Sequence, residues 1–138
     1  MLPADVTDLL PQKTPFKMVD LLHISNETTI ETSFTVNPDN PLVCDGFFTE
    51  GGMIENMAQS AAAGTGYYFS QQQKDIPIGY IGAVKNVQIS RLPASAEVIR
   101  TELITLNRIG DATIVAGKIF SGKELLGCCE LTIFVQPS

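Results

Sequence analysis

The residues able to do chemistry in this chain are concentrated between positions 45 and 59. Glu55 stands in Met53-Ile-Glu-Asn-Met57, a largely apolar run. Withdrawal from water raises a carboxyl's pKa towards the range where it both takes and gives a proton; the other reading of Glu55 is an exposed or paired structural glutamate. Gln59 follows one helical turn later on the same face, placed either to orient that carboxylate or to close a hydrogen-bond network in the core. Gly51 and Gly52 fall at the start of the same element, where N–H donors lack partners and the dipole favours negative charge, as an oxyanion hole requires. A glycine pair equally lets a sheet or a second subunit come close. Asp45 is a second carboxyl group just upstream. Asp45-Gly46 is also a strong turn signal, and the two roles are compatible.

What is missing narrows the chemistry further. The one histidine, His23, lies on a predicted strand remote in sequence from Glu55 and reads as a surface or structural residue. Of the three cysteines, Cys128 and Cys129 are neighbours that point to opposite faces of a strand, so no disulfide framework follows, and with Cys44 they read as reduced, half-buried thiols. No metal or other cofactor is implied. Fifteen acidic against nine basic residues give a net charge of −6, which leaves no basic excess for nucleic acid or an anionic membrane. No basic region followed by an apolar one opens the chain, and nothing approaches the ~18 apolar residues of a membrane span. The expectation is a soluble, cytoplasmic protein.

The elements that must position these residues follow from periodicity. A length of 138 residues suits one domain, taken as 1–138. Residues 16–25 and 28–36 are β-branched and apolar, with Ile30, Phe34 and Val36 at even spacing, and predict two paired strands turning at Asn26-Glu27. From Thr49, a plausible N-cap, to about Gln72 the pattern is helical. Met53, Met57, Ala61, Gly64 and Tyr68 share one side, with Ile54, Ala58 and Ala62 beside them. A helix so rich in alanine and glycine is suited to burial under a sheet. Four strands are predicted after Pro77, at 78–90, 97–106, 111–120 and 123–135. Leu125, Gly127, Cys129, Leu131, Ile133 and Val135 alternate along the last one. Two strands, one helix and four strands make an α+β architecture with the sheet curled over the helix.

Several of these segments resemble a known family. Leu10-Pro-Gln-Lys-Thr-Pro-Phe16 with Met18-Val-Asp20 is similar to the opening Leu-Pro-His-Arg-x-Pro-Phe-x-x-Val-Asp of the 3-hydroxyacyl-acyl-carrier-protein dehydratases. Ile54-Glu-Asn-Met-Ala-Gln-Ser-Ala61 resembles their Ile-Glu-Ala-Met-Ala-Gln-Ala-Ala, and Gly79-Tyr-Ile-Gly-Ala83 fits as well. The resemblance implies a single hotdog domain, with one long central helix wrapped by a six-stranded antiparallel sheet. That family pairs a helix acid with a histidine in a Gly-His-Phe-Pro-Gly loop, often from different subunits of a dimer. Glu55 matches the acid. The loop here is shorter and reads Leu42-Val-Cys-Asp-Gly-Phe-Phe-Thr-Glu-Gly51, without a histidine. Its Asp-Gly form resembles the divergent dehydratases of aryl-polyene and flexirubin pigment clusters. Even there the opening usually keeps Leu-Pro-His, where this chain has Gln12.

By this resemblance the expected activity is dehydration of 3-hydroxyacyl thioesters. Glu55 and Asp45 are the candidate proton-transfer groups, and Gly51, Gly52 and Gln59 the substrate-binding ones. The implied partners are an acyl carrier protein or coenzyme A thioester, docking near Lys85, Arg91 or Arg108, and a second copy in a homodimer or larger assembly. A thioesterase on the same fold and an inactive acyl-binding subunit are the alternatives.

Overall fold

A computed structural model describes residues 1–135. Its centre is α1, Glu50–Gln71. Thr49 starts it as the sequence predicts: the side-chain oxygen accepts from the Gly52 amide and the carbonyl from Met53. Glu50 sits in the first turn, against the positive end of the dipole. At the far end Gln72 caps, and Gln73 turns the chain away with a φ of 56°.

The sheet that wraps α1 is antiparallel throughout. In chain order its strands are β1 (Ala4–Asp5), β2 (Leu21–Ser25), β3 (Thr29–Thr35), β6 (Gly79–Ile89), β7 (Val98–Ile109), β8 (Ala112–Ser121) and β9 (Glu124–Val135). Between β3 and the helix lies a small hairpin of β4 (Val43–Cys44) and β5 (Phe47–Phe48). Across the large sheet the order is β1-β2-β3-β7-β8-β9-β6. Seven strands replace the expected six because Ala4–Asp5 pairs with Leu21 and Leu22. Turn chemistry sets the hairpins: Asn26 Oδ1 accepts from the amides of Thr28 and Thr29, bending the chain between β2 and β3.

The core forms where α1 meets the concave face. Met53, Met57 and Ala61 pack against Ile99, Leu103, Ile119, Leu126 and Leu131. A second cluster joins Ala63 to Leu9, Leu10, Val19 and Leu22. Small helix residues make this possible, since a Cβ on Gly64 would come within 2.4 Å of Ile30 Cδ1. Two sequence expectations need correction. Tyr68, assigned to the buried side, is 56% exposed. The alternation of the last strand fails at Leu125, which faces out while Leu126 is buried, because the β8–β9 register shifts between Ile119 and Phe120. Among the described residues no helix is long and apolar enough to cross a membrane.

The loop entering β7 is held by charge. Arg91 spans Glu97, at 2.7 Å, and Glu124, at 3.0 Å, and Ser121 also donates to Glu97. Of the three cations expected to receive a carrier, Arg91 is therefore already neutralised within the chain. The Arg91 hydrogen bond is the main cause holding the Glu97 carboxyl down, from 4.5 to about 2. A depressed carboxyl pKa adds stability that is complete above the unfolded value and lost as pH falls towards the folded one. Thermal melts of wild type and Arg91→Met are thus expected to differ most at pH 5 and above, and to converge as pH drops from 4.5 to about 2.

Candidate active site

Glu55 lies half-buried in the second turn of α1. It forms part of the wall of a cavity of about 420 Å³, bounded by the segment around Leu10 and Gln12, the helix at Ala58 and Ala62, and the start of β6. The wall is mainly apolar. The one hydrogen-bond partner of the Glu55 carboxylate among the described residues is Gln59 Nε2, at 3.4 Å, and no cation there lies within ion-pair distance of it. A carboxylate left so nearly unpaired is available to exchange a proton with a ligand.

Gln59 is 2% exposed and sits in a core hydrogen-bond network that also reaches the Glu55 carboxylate. Its Oε1 accepts from the Met18 amide at 2.6 Å, while Nε2 donates to the Phe16 carbonyl at 2.9 Å as well as reaching Glu55. Asn56, wholly buried, completes the grip: Nδ2 donates to the Met18 carbonyl at 2.7 Å and Oδ1 accepts from Thr101 on β7. Ser60 bonds Thr32 on β3 at 2.7 Å. An apolar-periodicity reading misses Asn56 and Ser60. The available signal was polar side chains at positions 56, 59 and 60 inside an otherwise small and apolar helix.

Asp45 and Gly46, with φ of 52° and 84°, are the two central residues of the β4–β5 turn. Positive φ at both positions is the geometry that favours Asp-Gly there. Asp45 is exposed and stands outside the wall of the Glu55 cavity. The two glycines separate in role. The Gly52 amide is committed to Thr49 Oγ1 at 3.2 Å, and a Cβ there would meet the Phe48 ring at 2.6 Å, so this glycine admits an aromatic ring. Gly51 is exposed, and its amide has no partner among the described residues. Gly51, Glu55 and Gln59 recur every four residues and so form one stripe down α1.

The remaining nucleophiles and bases stand apart. His23 Nε2 is hydrogen-bonded to Ser33 Oγ at 2.7 Å. All three cysteines are free, and burial pushes the Cys129 thiol up to about 11, leaving it protonated near neutral pH.

One long helix laid across a strongly curled antiparallel sheet of this order is the hotdog architecture. The chain belongs to the ApeP-like family, whose model, described as ApeP dehydratase, matches residues 4–137. It superposes on a chain of the dehydratase heterocomplex ApeI:P from Xenorhabdus doucetiae with a TM-score of 0.81 at 18% identity, covering 100% of this chain and 93% of that one. The Streptococcus mutans UA159 protein smu.793 bound to acetyl CoA gives 0.70 at 12%, covering 94% and 97%. A hypothetical thioesterase with coenzyme A from Streptococcus pneumoniae TIGR4 gives 0.67 at 9%, covering 85% of each chain. At such identities these likenesses establish the fold. No curated protein matches the sequence.

The grip on Met18 makes a specific demand on stability. Asn56→Leu strands the Met18 carbonyl and the Thr101 hydroxyl in the core, with an expected loss of about 1–3 kcal/mol in denaturant melts. Tyr68→Ala, on the exposed side, is expected to stay within about 0.5 kcal/mol. Equal midpoints for wild type and Asn56→Leu would show that the clamp contributes nothing to stability.

Proposed function

We propose that the protein dehydrates 3-hydroxyacyl thioesters carried on acyl carrier protein or coenzyme A, releasing water and a trans-2-enoyl thioester, in the cytoplasm. The observation that carries this reading is the Glu55 carboxylate, nearly unpaired in the wall of an apolar cavity, in a chain of a dehydratase family. The reaction removes a C2 proton and returns one to the departing C3 hydroxyl. A single carboxyl group can balance both: Glu55 takes the C2 proton, and the resulting acid protonates the hydroxyl as the C–O bond breaks. Charge that develops on the thioester oxygen between these steps needs a donor, and the Gly51 amide, one turn above Glu55 at the positive end of α1, is suited to it where the thioester extends past the cavity wall, which Gly51 does not line. Gln59 holds the carboxylate in place. Asp45 contributes from another subunit if it takes part, because within one chain it stands outside this cavity.

Assembly supports the same reading. β6 is an eleven-residue edge strand with no neighbour on its outer side among the described residues, and Tyr80, Val84 and Val87 along it are 57%, 37% and 37% exposed. A long open edge with apolar side chains calls for a partner strand, and the start of this one lines the Glu55 cavity. A homodimer paired along β6 covers the edge, and light scattering is expected to show a dimer or larger at micromolar concentration. One observation favours a second reading, an acyl-binding subunit that relies on another chain for catalysis: no histidine lines the cavity.

Incubation with 3-hydroxyacyl and enoyl thioesters, followed by mass spectrometry, separates the readings as loss of water, hydrolysis or no change. Glu55→Gln is expected to lower the dehydration rate by about two to four orders of magnitude with an unchanged melt. Asp45→Asn should cost comparably only where a second subunit supplies that carboxylate. Wild-type turnover in Glu55→Gln would transfer support to the binding-subunit reading.

A further inference from the structure

Gln12 Oε1 is the one buried side-chain oxygen or nitrogen among the described residues that lacks a hydrogen-bond partner. It belongs to a residue in the wall of the cavity that also holds Glu55. In the empty protein this oxygen has under 1 Å² of accessible surface, so a ligand meets it when the Gln12 side chain, between exposed neighbours, turns into the cavity that its residue lines. Around it the cavity is lined largely by hydrocarbon, including Leu10, Ala58, Ala62 and Ile133. An acceptor shut away from water without a donor destabilises the empty protein, and such groups usually have a reason to persist.

We propose that Gln12 is the residue that holds the 3-hydroxyl group of the substrate and makes the site prefer 3-hydroxyacyl over saturated acyl thioesters. The inference rests on the dehydratase reading above and adds the recognition that reading lacks. Between the thioester and the end of the hydrocarbon tail, the hydroxyl is the only polar group the substrate brings. As both donor and acceptor it satisfies a carboxamide in either orientation. The bond also suits the chemistry. A hydroxyl that donates to Gln12 keeps its oxygen lone pairs free for the proton from Glu55, and a neutral carboxamide does not compete for that proton. A saturated chain leaves the Gln12 oxygen as unpaired as it is in the empty protein and so gains nothing there, whereas the hydroxylated chain gains a hydrogen bond.

The test compares 3-hydroxydecanoyl-pantetheine with decanoyl-pantetheine by calorimetry, in a Glu55→Gln background that prevents turnover. Gln12→Met, of similar length but apolar, is the variant. With Gln12 present the hydroxylated ligand is expected to bind about tenfold or more tightly than the saturated one. With Gln12→Met that ratio falls to about one, chiefly by weakening of the hydroxylated ligand. The unliganded variant is expected to melt a few degrees higher, because the orphan acceptor is gone; a merely structural glutamine gives the opposite sign. Should Gln12→Met fail to fold, Gln12→Asn, which keeps the carboxamide but withdraws it by one methylene, must show the lost preference instead.

An unchanged ratio in the variant that folds overturns the Gln12 assignment while leaving dehydration by the wild type intact. If neither thioester binds the folded protein and wild type releases no water from the hydroxylated one, the dehydratase reading falls, and the assignment with it.

Discussion

The peptide at Met18 is held by side chains of the helix, and much of the structure depends on that. Asn56 and Gln59, three residues apart on α1, take its carbonyl and its amide, while Thr101 anchors Asn56 to β7. Burying two carboxamides is costly unless each polar atom finds a partner. Here Asn56 Oδ1 and Nδ2 and Gln59 Oε1 and Nε2 all have one. The grip welds three parts of the chain that share no strand ladder: the segment before β2, the helix and the middle of the sheet. A few positions upstream of that grip, residues 8–12 form one wall of the cavity.

The helix itself is held by packing rather than by a marked apolar stripe. Its buried residues, among them Gly52, Met53, Asn56, Ala61, Ala63, Gly64 and Gly66, lie on more than one side, as expected of an element enclosed by other structure. Alanine and glycine contribute little burial of their own, so the sheet must approach closely to fill the space. Where it does so the core is dense, as at Gly64 against Ile30. One cavity lies towards the β6 edge, where Ile54, Ala58 and Ala62 are only half-buried, and a second, of about 680 Å³, lies at the far end of the helix between Tyr68, Ile30 and Arg108. The cavity that holds Glu55 therefore falls on the same side of the molecule as the unpaired strand edge.

Much of this was legible in the sequence because it depends on local rules. Thr49 as cap, the helix near 49–72, the last four strands and the Asp45-Gly46 turn each follow from residue chemistry over a few positions. The misses are tertiary. Residues 16–20 have strand-like composition, but their backbone groups are claimed largely by Asn56, Gln59 and Ser33 rather than by a continuous ladder, so β2 begins only at Leu21. Alternation in β9 broke at a bulge that no composition announces. Glu55, Gln59, Gly51 and Gly52 could be nominated by pattern. That Gly52's amide is occupied and Gly51's free follows from the Thr49 cap three residues away, but that Gln12 shares a wall with Glu55 required the packing of segments more than forty residues apart.

The same geometry bears on how a chain whose one histidine is engaged elsewhere could run an elimination. An imidazole and a carboxylate divide base and acid between two groups whose pKa values must be set apart. A lone carboxylate in an apolar cavity takes one proton and returns it, provided that something else fixes the leaving hydroxyl within its reach. Charge at that second position would work against the arrangement, since another carboxylate would repel Glu55 and a cation would pair with it and suppress its basicity. Neutral hydrogen-bonding groups avoid both penalties. On the proposed reading, carboxamides at Gln12 and Gln59 supply the positioning, and Glu55 is left as the sole site of proton transfer.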